Sequence, residues 1–336
     1  MSGVKCTSKT IYKNRYKKLW IFGAVLGCAL FLSGCGRVIH NDYESMRMSD
    51  SVNPMVTSQT SSFREKSFAA DLCLPEDTKA ENKKLAIETA GLFDLTSKKT
   101  LYGAGLNQRV YPASTTKLMT ALVALKNGDP GQRIRISERA ANPGADAQRL
   151  VLEPGDSMSL EQAINYLLVF SANDVAIAIA ENIGGSYDGF VDLMNQEAKA
   201  IGATGTHFTN PHGLHDENHY TTPYDLYLIL NEAVKYDLIR KIIPQSDYNT
   251  MFTGVNGDSK SIAVKATDAY LTGDVDAPEG ITVLGGKTGT TDPAGHCLII
   301  LSQNAKGNDF ISVVMKTDSL EELYDDMNSL LEQIPN

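Results

Sequence analysis

The spacing of apolar residues changes twice along this chain, and that change limits the possible fold more than any other feature. "LAIETAGLFDL" and "TLYGAGLNQRV", joined at "TSKK", read as two strands, because alternating, branched and aromatic residues suit a pleated surface. A helical middle follows. Ser159 to Gln162 form a capping box before "INYLLVF", Gly184 and Gly185 close "DVAIAIAEN", and Thr222, Pro223 and Asp225 open "YDLYLILNEAV". After Ile281 the strands return in "ITVLGGKTG", "HCLIILSQ" and "DFISVVMKT", and a last helix runs through "SLEELYDDMNSLLEQI". Strands at both ends around a helical centre predict an α+β (or α/β) domain. The two ends would build one sheet, with the helices as a lobe beside it.

The first 35 residues stand outside that pattern. Lys5, Lys9, Lys13, Arg15, Lys17 and Lys18 precede the uncharged run "LWIFGAVLGCALFLSGC", the order of charge and apolarity found in export signals. The apolar run from Leu19 to Ser33 is short for a bilayer span, which needs about 20 residues. Its ending "LSGC" resembles the lipobox of bacterial lipoproteins, in which the cysteine is acylated and the preceding peptide removed. Residues 1–35 are therefore expected to be a lipoprotein signal peptide, with Cys35 lipidated and the protein held by its lipid on the outer face of the cell membrane. Residues 36–82, rich in Ser, Thr, Asn, Asp and Met, read as a flexible tether, and 83–336 as the folded domain.

Composition excludes other roles. The net charge of −9 counts the basic leader, so the remainder is more acidic still, and a nucleic-acid partner, which requires basic surface, is not expected. Past Cys35 only Cys73 and Cys297 remain, which permits one disulfide at most and no metal or redox motif. No cofactor is expected.

Chemistry enters at "YPASTTKLMT", where Ser114 stands three residues before Lys117. On a helix, positions i and i+3 share a face with Cβ atoms about 5–6 Å apart, so the lysine nitrogen can reach the hydroxyl. A serine is a poor nucleophile until a base takes its proton, and burial beside a second cation can turn a lysine into that base. Taken alone, Ser-x-x-Lys is a common capping serine and a solvated lysine. Two further patterns change the reading. "SAND" places Ser171 and Asn173 where one helix ends and the next begins, and "KTGT" places Lys287, Thr288, Gly289 and Thr290 near the end of a strand. In this order the three motifs match the signature of penicillin-binding proteins and serine β-lactamases.

From about Lys83 to Thr317 the chain resembles the low-molecular-weight penicillin-binding proteins that act as serine-type D-Ala-D-Ala carboxypeptidases. "LEPGDSMSLEQAINYLLVFSANDVAIAIAE", "FTNPHGLHDENHYTTPYDL" and "GGKTGTTDPAGHCL" carry the likeness beyond the three motifs. The resemblance implies an antiparallel sheet built from both chain ends and a mostly helical lobe. It also implies the substrate, a peptidoglycan stem peptide ending in D-Ala-D-Ala, and covalent inhibition by β-lactams. Ser114 would attack, Lys117 act as base, Ser171 pass a proton to the leaving amine and Asn173 hold the peptide amide. Lys287 would supply charge, Thr288, Gly289 and Thr290 would align the substrate, and the N–H groups of Ser114 and Thr290 would form the oxyanion hole. An N-terminal lipid would replace the C-terminal membrane helix of many relatives.

Other readings remain at this level. A serine β-lactamase shares the three motifs, although no Glu-x-x-Leu-Asn segment lies between Ser171 and Lys287. A non-catalytic penicillin-sensing or wall-binding protein is the rival from a different class, and the intact motif residues oppose it. His207, His212, His215 and His219 suggest a metal site, but their spacing matches neither H-E-x-x-H nor a finger. His212 and His219 are expected to fasten a loop and His296 to sit on a strand. Relatives often hold the substrate carboxylate with a basic side chain after the K-T-G. No arginine follows Arg240 here, which leaves Lys316 as the nearest candidate.

Overall fold

The computed structural model describes residues 71–335, apart from 77, 79–84, 86, 145 and 146. The expected signal segment, Cys35 and nearly all of the expected tether lie outside the described residues. The chain opens with strands β1 (Ala90–Asp94) and β2 (Lys99–Ala104), then enters helix α1 (Lys117–Asn127) through a 3₁₀ turn at Ala113–Thr116. Strand β3 (Arg133–Arg135), helix α2 (Glu138–Ala141), strand β4 (Ser157–Ser159) and helix α3 (Leu160–Asn165) follow. Helices α4 (Asn173–Ile183), α5 (Tyr187–Ala200), α6 (Pro223–Ala233) and α7 (Asp237–Ile242) complete the lobe. Next come β5 (Asp247–Thr253), β6 (Ser259–Lys265) and α8 (Ala269–Thr272). The chain closes with β7 (Ile281–Thr291), β8 (Gly295–Asn304), β9 (Asp309–Thr317) and α9 (Leu320–Leu331).

Both ends of the domain do build one antiparallel sheet, in the order β2-β1-β9-β8-β7. β1 pairs with β9 from Ala90 opposite Val314 to Asp94 opposite Phe310. β8 reads as an unbroken apolar run because it is covered on both sides. Cys297, Ile299 and Leu301 join the core shared with the helical lobe, while Leu298 and Ile300 face the core under α9. There Leu323, Tyr324, Met327, Leu330 and Leu331, at the 3–4 spacing of one helix face, are buried. The caps expected from sequence are present: the Ser159–Gln162 capping box on α3, Gly184 after α4, and Thr222 with Pro223 opening α6.

Two features depart from the sequence reading. A second sheet, β3-β4-β5-β6, edges the helical lobe. It is anchored where the Gln162 side chain bonds Thr250 Oγ1 at 3.0 Å and the Met251 carbonyl at 2.8 Å. The packed chain also begins before the expected boundary at residue 82. Cys73 is fully buried, its N–H donates to the Tyr227 hydroxyl at 2.9 Å, and its carbonyl accepts from Tyr224 at 2.8 Å. Cys73 and Cys297 are both free thiols.

Candidate active site

The turn before α1 places Ser114 at the meeting point of sheet and lobe. Ala113 has φ 47°, in the left-handed region that a residue with a Cβ rarely adopts, and two glycines close around it. A Cβ on Gly213 (φ +88°) would lie 1.9 Å from the Ala113 carbonyl oxygen, and one on Gly289 would lie 2.9 Å from the Ser114 nitrogen. Only glycine permits these approaches, so the backbone of β7 lies directly against the Ser114 turn.

The opening residue of α1 is Lys117, fully buried, and its Nζ has three neighbours. It lies 3.0 Å from Ser114 Oγ, 2.8 Å from Asn173 Oδ1 and 2.6 Å from the His212 carbonyl. A neutral amine has two protons and one lone pair. Asn173 Oδ1 and the carbonyl can only accept, so they take the two protons, and the lone pair is left for the Ser114 hydroxyl proton. The amine form is favoured because burial, and then the positive charge of Lys287, push the Lys117 pKa well below the ordinary lysine range, with Asp174 opposing. Lys287, 1% exposed, donates to the Thr288 carbonyl at 2.9 Å, and burial lowers its pKa to about 7.

The other wall comes from the end of α3. Its last turn widens into a π turn at Tyr166–Phe170, a feature common at functional sites, and delivers Ser171 at φ 69°. Ser171 is 4% exposed and its Oγ has no hydrogen-bond partner among the described residues. Asn173 begins α4, tied down by its N–H to the Gln148 carbonyl at 2.8 Å. Ser114, Ser171, Asn173, Thr288, Gly289 and Thr290 line one cleft of about 310 Å³, while Lys117 and Lys287 are buried and do not line it. Across it Thr288 Oγ1 meets Thr267 Oγ1 at 2.5 Å, and Thr290 Oγ1 meets His296 Nδ1 at 3.1 Å. Every residue expected here from the three motifs is brought together. Cys297 also lines the cleft, but burial pushes its thiol up to about 11, so it is no rival nucleophile.

Two expectations turn out differently or gain detail. Lys316, at φ 64°, lines a separate cleft with Glu88, Asp318 and Glu322, away from Ser114, so it is not the carboxylate partner. His212 and His219 fasten the loop whose His212 carbonyl accepts from Lys117. His219 Nδ1 accepts the Thr209 N–H at 3.0 Å, so its Nε2–H donates to Thr116 Oγ1 at 2.8 Å. His212 Nδ1 accepts the Leu214 N–H at 3.1 Å, so its Nε2–H donates to the Tyr187 hydroxyl at 3.2 Å. With both nitrogens occupied neither ring is free to bind a metal. Sequence reasoning missed Gly213, Thr267, Asp268 and Gln148, of which only Gly213 carried a signal, as a glycine in the "NPHGL" loop.

Burial lowers the pKa of His212 and His219 to about 3 each. The unfolded chain protonates these rings below about 6.5 while the folded chain does not, so their stabilisation is complete above that pH and is lost as pH falls toward 3. Asp174 and Asp268, raised to about 6 by burial, act in the opposite sense between about 6 and 4 because the folded chain protonates them first. Net loss of stability is therefore expected to concentrate below about pH 4. Urea unfolding across that range should show a shallower loss in His219→Asn than in the wild type. An unchanged slope would remove His219 from the account.

A family model described as D-alanyl-D-alanine carboxypeptidase matches residues 76–319. D-alanyl-D-alanine carboxypeptidase DacF of Bacillus subtilis is 37% identical over 181 residues, covering 52% of this chain and 46% of the relative. DacA of Haemophilus influenzae is 32% identical over 238 residues, covering 69% and 57%. The chain thus spans about half the length of these curated relatives. Among solved structures, the Streptomyces K15 DD-transpeptidase superposes with TM-score 0.68 at 25% identity, covering 74% of this chain and 97% of that one. The carboxypeptidase DacD from Francisella tularensis gives 0.64 at 27%, covering 74% and 70%.

Proposed function

Because this chain belongs to the D-alanyl-D-alanine carboxypeptidase family, we propose that it removes the terminal D-alanine from peptidoglycan stem peptides through an acyl-enzyme on Ser114. The observation that carries the reading is the Lys117 nitrogen, whose two acceptors leave its lone pair for Ser114. Ser114 Oγ attacks the carbonyl between the two D-alanines as Lys117 takes the hydroxyl proton. The oxyanion is met by the N–H groups of Ser114 and Thr290, in the backbone that Gly289 brings against the Ser114 turn. As the C–N bond breaks, the proton passes through Ser171 to the leaving amine, D-alanine departs, and the ester remains. Water then adds to the ester, giving a proton to Lys117, which passes it to Ser114 Oγ as the acyl C–O bond breaks and the shortened peptide leaves. β7, the edge strand of its sheet, aligns the peptide by backbone pairing. The terminal carboxylate meets the hydroxyls of Thr288 and Thr290 above the charge of Lys287. The test is release of D-alanine from a diacyl-D-Ala-D-Ala peptide, and a wild type that folds and releases none would refute the proposal.

The same proposal includes the anchor. Residues 1–35 act as a lipoprotein signal, Cys35 is acylated as the first residue of the mature chain, and the domain works at the outer face of the membrane. The support is the order of basic segment, apolar run and "LSGC". In a bacterial host the wild type is expected in the membrane fraction with acylated Cys35 at its N-terminus, and Cys35→Ser is expected without acylation. An intact leader on the wild type would mean a signal anchor instead.

A further inference from the structure

The reaction as derived gives no role to Asp268, a buried acid close to the site. Asp268 stands at the head of α8, 4% exposed, with Oδ1 accepting the Tyr270 N–H at 3.1 Å. The Tyr324 hydroxyl approaches Oδ1 at 3.4 Å, while Oδ2 has no hydrogen-bond partner among the described residues. A helix cap needs a single side-chain oxygen, and asparagine or serine serves as well. Capping therefore does not account for a full carboxylate in this interior, where an unpaired charge costs on the order of several kcal/mol.

The charge has a counterpart nearby. Thr267, the preceding residue, is clasped hydroxyl to hydroxyl to Thr288, so the segment carrying Asp268 is held against β7 beside Lys287. Asp268 and Thr288 also line one small pocket with Gly286. Lys287 is buried in turn, and its Nζ donates to the Thr288 carbonyl. We infer that Asp268 is a positioning residue for catalysis: its buried carboxylate is the counter-ion that keeps the Lys287 ammonium charged, and through that charge keeps Lys117 a free amine.

The charged and titratable groups around this chain of influence come from several elements. Lys117 on α1 and Asp268 ahead of α8 act on Lys287 or feel it, Tyr270 of α8 and Tyr324 of α9 border Asp268, Asp174 of α4 acts on Lys117, and the rings of His212 and His219 feel the Lys117 charge. Burial pulls Lys287 downward, and Asp268 is the charge that opposes it. Without that carboxylate Lys287 gives up its proton at lower pH. Lys117 then loses the neighbouring cation that disfavours its own protonation, and a proton on Lys117 disables the base of Ser114. The two lysines titrate as a coupled pair, so a limb of the rate profile belongs to the pair.

Asp268→Asn keeps the size and the cap and removes only the charge. Lysine labelled with ¹³C in the side chain lets the Lys287 titration be followed by NMR, assigned by its loss in Lys287→Arg. The midpoint is expected to fall by about one unit or more in Asp268→Asn, roughly tenfold in proton affinity. The pH profile of Ser114 acylation by penicillin should show its acid limb, where Lys117 takes up a proton, moving to higher pH. A purely structural role would lower the rate at every pH and leave the limb in place. If the Asn variant does not fold, Asp268→Ser preserves a cap and reports the same quantities. An unmoved Lys287 midpoint overturns the counter-ion role, and a moved midpoint with an unmoved limb overturns its catalytic part. The catalytic part rests on the carboxypeptidase reading, whose own failure is distinguishable as a wild type that releases no D-alanine while the Lys287 titration still shifts.

Discussion

Labelled penicillin is expected to attach to the wild-type chain on the peptide containing Ser114 and to be absent from Ser114→Ala, as read by mass spectrometry. Label on another serine would defeat the assignment. Lys117→Ala removes the group proposed to take the hydroxyl proton, and loss of a general base lowers a rate by about 10²–10⁴. The more telling variant is Lys117→Arg. A guanidinium can still donate to Asn173 Oδ1 and the His212 carbonyl, but it is not deprotonated in a protein and has no lone pair to offer. Arginine should therefore acylate no faster than alanine. If Lys117→Arg kept most of the wild-type rate, Lys117 would act as a positive charge, and the base would have to be sought elsewhere. Removal of the lysine also strands two buried acceptors, about 1–3 kcal/mol each, so circular dichroism must accompany the kinetics to separate lost chemistry from lost fold.

The sequence exposed those parts of the molecule whose cause is local. The caps of α3, α4 and α6, the apolar stripe of α9 and the doubly covered β8 follow from the nearest few residues. The three motifs were legible because their chemistry fixes residue type. β5 and β6 were not, since "DYNTMFT" and "SKSIAVK" are polar strands with one largely exposed face, held by side chains such as Gln162 that arrive from far along the chain. Lys316 looked suitable from its place on the last strand. Its φ of 64° and its neighbours Glu88, Asp318 and Glu322 put it in another cleft, which spacing along a strand does not reveal. Asp268 was invisible for a different reason. Its local role, capping α8, is ordinary, and its charge acquires meaning only when Thr267 and Thr288 bring two distant segments together.

The fate of the acyl-enzyme is expected to differ between substrate and antibiotic, although the proposed mechanism forms both adducts with Ser114 and Lys117. When a peptide acylates Ser114, the amine that leaves is free D-alanine, which diffuses away and clears the approach to the ester. When penicillin acylates it, the leaving nitrogen stays joined to the acyl group through the opened ring system and occupies the approach by which water must come. A β-lactamase overcomes this with a carboxylate that holds and activates a water. Among the described residues lining this cleft none is Asp or Glu, and the base that remains is Lys117, under the adduct. Each tenfold difference in the two hydrolysis rates needs only about 1.4 kcal/mol of barrier, so a water displaced from the line of attack is enough for a large effect. The expected result is repeated release of D-alanine from a D-Ala-D-Ala peptide, together with near-stoichiometric, long-lived capture of penicillin by the same preparation. Intact-mass measurement after removal of free penicillin follows the second quantity, and assay of D-alanine the first. Rapid, repeated hydrolysis of penicillin with no action on the peptide would reverse the conclusion and make the chain a β-lactamase.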